Sequence, residues 1–203
     1  MTKIVKSMIL GFITRFPKGS GRLTGQPTYF VEKVIACLHF DLMSGSILND
    51  FLQDASKQLK YKSKQEFIDK IISLKNNTKK HTIRGDKKGR WILGRLIDFF
   101  IGVRTKSMFR FAPKVPVIST QEISIKHYEK YVCIGVENKD MEGVTTLCFY
   151  HKTKEGYKQC WNGTNLIERI ALNDGFDSVD DFFEWFSEDF KGKIIHWTEL
   201  TYE

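Results

Sequence analysis

One hydroxyl stands among cations in Lys79-Lys80-His81-Thr82-Ile83-Arg84: Thr82, with a lysine three residues before it and an arginine two after. A threonine oxygen becomes a useful nucleophile when a neighbouring base takes its proton, and a lysine held neutral is such a base. Crowding by other cations lowers a lysine's pKa, and Lys80 and Arg84 are placed to crowd Lys79. In an extended segment Thr82 and Arg84 share one face and His81 and Ile83 the other. His81 then faces away from the hydroxyl and reads as a wall residue rather than a general base. A second chemistry needs no nucleophile. Lys79 to Arg90 contact phosphate, and Thr82 donates one more hydrogen bond.

The charge around this stretch supports a polyanion partner. The chain has 203 residues with 32 Lys+Arg against 24 Asp+Glu, a net of +8. Residues 1–110 carry a net of +14 and residues 111–203 a net of −6. Residues 75–110 alone hold 11 Lys+Arg and only two acids, Asp86 and Asp98. Such a basic half is the electrostatic footprint of nucleic-acid binding. Lys80, Lys87, Lys88, Arg90 and Arg104 are the phosphate candidates, and Tyr29 and Trp91 are placed to stack on bases.

The positioning elements follow from periodicity. Residues 6–13 read as a buried strand, Arg15–Pro27 as a basic loop, and Thr28–Leu38 as a helix. Ile47, Leu48, Phe51, Leu52, Ala55 and Leu59 recur at helical spacing. A second helix begins at Ser63, with Glu66 in capping-box position. The pair, 46–75, reads as a helical-hairpin insertion or lid. Strands are expected at Arg95–Val103, Val115–Ile125, Tyr131–Glu137 and Val144–His151, with turns at 137–140 and 152–156. Helices are expected at Asn165–Leu172 and Ser178–Phe190, the latter ended by Gly192, with a last strand at Lys193–Leu200. The sum is α+β, a mostly antiparallel β-barrel with flanking helices.

Lys79-x-x-Thr82-x-Arg84, after a helix and before a Gly94 turn and a strand, resembles the signature of the ASCH domain. Ala171-Leu172-Asn173-Asp174-Gly175-Phe176 followed by Phe182-Phe183-Glu184-Trp185-Phe186 resembles that family's Ala-x-x-Glu-Gly and aromatic helix. Lys193-Ile194-Ile195-His196-Trp197 is similar to its closing strand. With Gly102-Val103-Arg104-Thr105 the whole chain also resembles uncharacterised ASCH-like proteins of phages and their hosts. The likeness covers most of residues 6–42 and 78–203 and leaves 46–75 outside the common core. It implies a PUA-like barrel and RNA-related work: nucleic-acid binding, ribonuclease action, or deacetylation of 4-acetylcytidine by a Lys, a Thr and a Glu. Carried over, those three fall on Lys79, Thr82 and Asp174, with Arg84 matching a basic site residue. Asp174 is one methylene shorter than the family's Glu, a difference of ~1.5 Å. In the amide reading Thr82 attacks, Lys79 takes its proton and Asp174 serves the leaving amine, while Arg84 or a backbone N–H faces the oxyanion.

Composition excludes several other classes. Phe alone counts 16 and hydrophobic residues reach 41%, so disorder is not expected. The longest apolar run, Met8–Ile13, is far short of the ~18–20 residues of a membrane span. No signal-peptide core is read at the N-terminus, which gives a cytoplasmic expectation with Cys37, Cys133, Cys148 and Cys160 reduced. None of these forms a C-x-x-C pair, so no metal and no cofactor is expected. Asn162-Gly163-Thr164 is then a chance sequon. The expected partner is RNA or a nucleoside or nucleotide, not a membrane. Two functions remain open: an RNA-directed ASCH enzyme, either amidohydrolase or ribonuclease, and a non-catalytic module that binds RNA or a protein.

Overall fold

A computed structural model describes residues 6–42, 46–137, 145–160 and 165–202, with the side chains of 39–51 left aside. Two sheets carry the site. The larger has six strands in the order β2 (His81–Arg84), β10 (Phe190–His196), β6 (Ser119–His127), β7 (Tyr131–Glu137), β8 (Thr145–Thr153) and β9 (Gly156–Gln159). Every pairing in it is antiparallel, and it curls into a half-barrel. The smaller sheet joins β1 (Ser7–Phe12) in parallel to β3 (Leu96–Ile101), with β4 (Phe109–Arg110) and β5 (Val115–Pro116) on β3. The expected α+β class and mostly antiparallel, barrel-like sheet are present, but the strands form two separately hydrogen-bonded sheets, the smaller built on a parallel pair. They meet through aromatic rings: Phe12 and Phe99 both lie against Trp197, just after β10, at 6.4 and 5.3 Å between centroids.

The helices are α1 (Phe30–Leu42), α2 (Ser46–Gln58), α3 (Lys64–Ser73), α4 (Leu166–Asn173) and α5 (Val179–Trp185). Their starts are written locally. Thr28 Oγ1 accepts from the Phe30 N–H, Ser63 Oγ from that of Glu66, and Ser178 Oγ from that of Asp181. The Glu66 carboxylate reaches back to the Lys62 N–H at 2.7 Å. Helices α2 and α3 are not a separate body. Leu52, Ala55, Phe67 and Ile71 join the same buried cluster as Val31 and Ile35 of α1.

Several boundaries differ from expectation: α1 runs on to Leu42 and the last strand ends at His196 rather than Leu200. The strand expected over Val115–Ile125 is two strands, because the chain changes sheets after Pro116. Helix α5 stops at Trp185, and Phe190 already begins β10. Gly192 lies inside that strand rather than ending the helix: a Cβ there would stand 2.4 Å from the Arg84 carbonyl oxygen. Residues 137–140, expected to turn, fall beyond Glu137 outside the described residues.

Candidate functional site

β2 is an edge strand, and the C-terminus of α4 closes its open side. The Lys80 N–H donates to the Asn173 carbonyl at 2.8 Å, and the Lys79 N–H to the Lys33 carbonyl of α1 at 3.1 Å. Asp174 caps α4, and the Lys79 ammonium donates both to its carbonyl and to its carboxylate. Lys33, buried in α1, donates to the Gly175 carbonyl at 2.7 Å and to Asp177 Oδ1 at 2.6 Å. Two buried ammonium groups therefore meet the negative end of one helix. Gly175 is needed between them. Its φ is +90°, and a Cβ would meet Phe30 at 3.1 Å and Lys79 Cδ at 3.2 Å.

Burial dominates the electrostatics. It pushes the Lys79 amine down to about 8, although Asp174 favours the charged form. It pushes the Asp174 carboxyl up, against the pull of Lys79 and Arg84. His81 is held well below the ordinary histidine value by burial, then by His196, Lys79 and Lys80. Its Nε2 bonds the Tyr202 hydroxyl at 2.7 Å, and its Nδ1 lies 3.8 Å from Asp174 Oδ1.

Thr82 is fully buried, and its hydroxyl has no hydrogen-bond partner among the described residues. Neither Lys79 nor Asp174 is within hydrogen-bond reach of it. The strand alternation explains this. His81 faces His196 across the register on one side of the sheet, and Thr82 faces Ile195 on the other. Arg84, on the Thr82 side, donates to the Gly11 carbonyl at 3.1 Å and lies 5.6 Å from the Phe12 ring centroid. The structure thus brings Lys79 and Asp174 together, places Arg84 on the Phe12 ring, and leaves the Thr82 hydroxyl unbonded.

The remaining candidates disperse. Lys87, Lys88, Arg90 and Arg104 are exposed and Lys80 is half-buried. Trp91, expected to stack on bases, is instead only 4% exposed and belongs to the core. Asp86 causes this: its carboxylate accepts the N–H groups of Arg90 and Trp91, both at 2.9 Å, and folds the chain back. Tyr29 has a left-handed φ of +52°, and the Lys70 ammonium lies 3.7 Å from its ring centroid. It lines a cleft of about 1280 Å³, together with Arg15, Lys60, Tyr61, Lys62 and Lys70. Lys33 and Lys70 were not singled out by the sequence. A lysine inside the apolar run Val31–Leu38 was the available signal for the first.

No group of His, Cys, Asp or Glu among the described residues is arranged to hold a metal, and no described helix is long and apolar enough to cross a membrane. Compared with protein families, with curated proteins and with solved structures, the chain finds no match.

Proposed function

We propose that this protein is an RNA-binding module of the ASCH-like kind that grips phosphate through the loop after β2. The observation that carries the reading is the exposure of Lys87, Lys88 and Arg90 on one short loop, in a half of the chain with net charge +14. The loop is pre-ordered by the Asp86 carboxylate and anchored by the buried Trp91 ring. Three cations on a fixed turn meet a phosphate chain with little ordering cost. In this reading the Lys79–Asp174 pair holds α4 against β2 and does no chemistry. Replacing Lys87, Lys88 and Arg90 together by Ala weakens RNA binding, and raising salt from 50 to 200 mM weakens the wild type about tenfold or more. The triple variant shows a shallower salt slope. An affinity indifferent to salt overturns the reading.

One observation favours a second reading, hydrolysis of an acylated nucleoside. Lys79 is lowered to about 8, so about a tenth of it is neutral at pH 7, and the Thr82 hydroxyl is uncommitted. Substrate entry would require the wall around these buried side chains to open. Turnover of 4-acetylcytidine by the wild type, abolished in Thr82→Ala and raised in Asp174→Glu, establishes this reading. Inertness of all three proteins removes it.

A further inference from the structure

The two faces of the six-stranded sheet have different fates. The inner face, with Ile123, Ile125, Val132, Ile134, Cys148 and Tyr150, is buried. It packs on α5, where the Phe183 ring lies 5.5 Å from Tyr150 and 4.5 Å from Tyr157. The outer face should by the same alternation be polar. It is not. Leu147 and Phe149 on β8 stand 56% and 41% exposed, and Tyr128, in the turn between β6 and β7, stands 44% exposed. Tyr131 completes the row. Its ring is stacked on Tyr128 at 4.5 Å and 22° and lies 6.0 Å from that of Phe149. Gly135 sits directly across from Leu147 and leaves the sheet flat between the strands. A Cβ there would approach Ser124 Oγ and Thr145 Cγ2 at 3.0 Å.

Cations border this row. Lys126 lies across from Cys133 on the same outer face, and Lys191 lies across from Ser124. Both are exposed, and neither forms a salt bridge with a described carboxylate. Of the outward carboxylates nearby, Glu122 is matched by Lys193 at 3.6 Å and Glu155 by Lys158 at 2.6 Å, while Glu129, exposed beside Tyr128, and Glu137 on β7 form no salt bridge with a described cation. The centre of the face is aromatic, with Lys126 and Lys191 exposed at its border.

We infer that the outer face of the six-stranded sheet binds single-stranded RNA, with bases stacked on Tyr128, Tyr131 and Phe149 and phosphates on Lys126 and Lys191. Flat rings accept any base and cations track the backbone, which is the chemistry of single-strand recognition. Duplex RNA hides its base faces and gains nothing from these rings. The inference rests on the RNA reading above but uses a different surface from the Lys87–Arg90 loop.

The test compares a 12-nucleotide oligouridine with a duplex RNA of the same strand length, by fluorescence anisotropy on the full chain. Phe149→Ala and Tyr128→Ala, at exposed positions, each weaken oligouridine binding about fivefold or more and leave duplex binding unchanged. Phe149→Trp retains the affinity and Phe149→Leu does not, which separates stacking from apolar contact. Lys126→Glu weakens oligouridine binding and steepens the preference for the unvaried protein over it at low salt. Oligouridine and duplex bound equally well by wild type and both alanine variants, yet weakened by loss of Lys87, Lys88 and Arg90, overturn the inference and leave the RNA reading intact. Binding of neither RNA by the wild type overturns both. A dimer that Phe149→Ala dissociates, with RNA affinity unchanged, assigns the face to a second copy of the chain instead.

Discussion

Lys79 and Asp174 form an ion pair closed to water, with 1% and 4% of their surfaces exposed. The Phe30 ring centroid lies 4.6 Å from the ammonium, so one side of the pair is aromatic. The other side is the carbonyl end of α4. The pair fastens a strand to a helix across the fold and makes each residue's charge dependent on the other's.

Removing one partner is therefore much worse than removing both. Asp174→Ala strands a buried ammonium and lowers stability by ~3–5 kcal/mol, whereas Lys79→Met with Asp174→Leu loses far less. Urea unfolding of the three proteins checks the order. Equal losses in the single and double variants would show that the pair's charges are not coupled.

His81 gives a stability that depends on pH. Its folded pKa lies well below the ordinary value. Below about 6.5 the unfolded chain takes a proton that the folded chain refuses, so stability falls as pH drops through that value. The facing groups are Asp174, Tyr202, His196 and Lys79. His81→Gln keeps a hydrogen-bonding group toward Tyr202 without titrating. Denaturation midpoints measured from pH 7 to pH 5 fall more steeply in the wild type than in this variant.

Lys60, exposed in the turn between α2 and α3, has a φ of +62°. A side chain in that region costs about 1–2 kcal/mol that glycine avoids, offset in part by glycine's larger unfolded entropy. Lys60→Gly raises stability by ~0.5–1 kcal/mol in chemical denaturation. A loss would place the lysine's own contacts above the backbone strain.

Phe67, on α3, is fully buried and touches the Tyr61 ring at 4.9 Å. Phe67→Ala costs ~3–5 kcal/mol for the whole chain in a single unfolding transition. A separate early transition confined to the variant would mean that α2 and α3 unfold on their own.

Local pattern was legible in the sequence and long-range partnership was not. Tyr131–Glu137 reads as a strand with the observed bounds because its alternation, apolar inward at Val132, Ile134 and Val136, is complete within seven residues. Ser63 and Ser178 announce their helices for the same reason: the cap and its N–H lie three residues apart. The parallel pairing of β1 with β3 has no local mark, so two sheets looked like one barrel. Phe182–Phe190 is aromatic enough to extend a helix, yet Phe186 leaves helical geometry at ψ 59° and Phe190 pairs with Ile125. At the site, a buried cation at position 79 demanded an anion, but spacing could not say which. Asp174 came forward through the ASCH resemblance. The alternation that turns His81 away from Thr82 was readable in β2 itself. Exposure was the property least readable from residue type: Trp91 is enclosed while Phe149 is open.

The pairing of β2 with β10 carries a consequence for the order of events during synthesis. Arg84 must wait for Lys193, and Lys79 for Asp174. At ribosomal speeds of ~5–20 residues per second, that interval is on the order of 5–20 s. Through it, the segment 79–84 is a strand without its neighbour, with unpaired backbone groups of the kind that recruit other chains. Lys79, Lys80 and Arg84 keep it hydrated and repel its copies on neighbouring nascent chains. Charges that are costly to enclose at the end of folding act, before that, as the strand's chaperone.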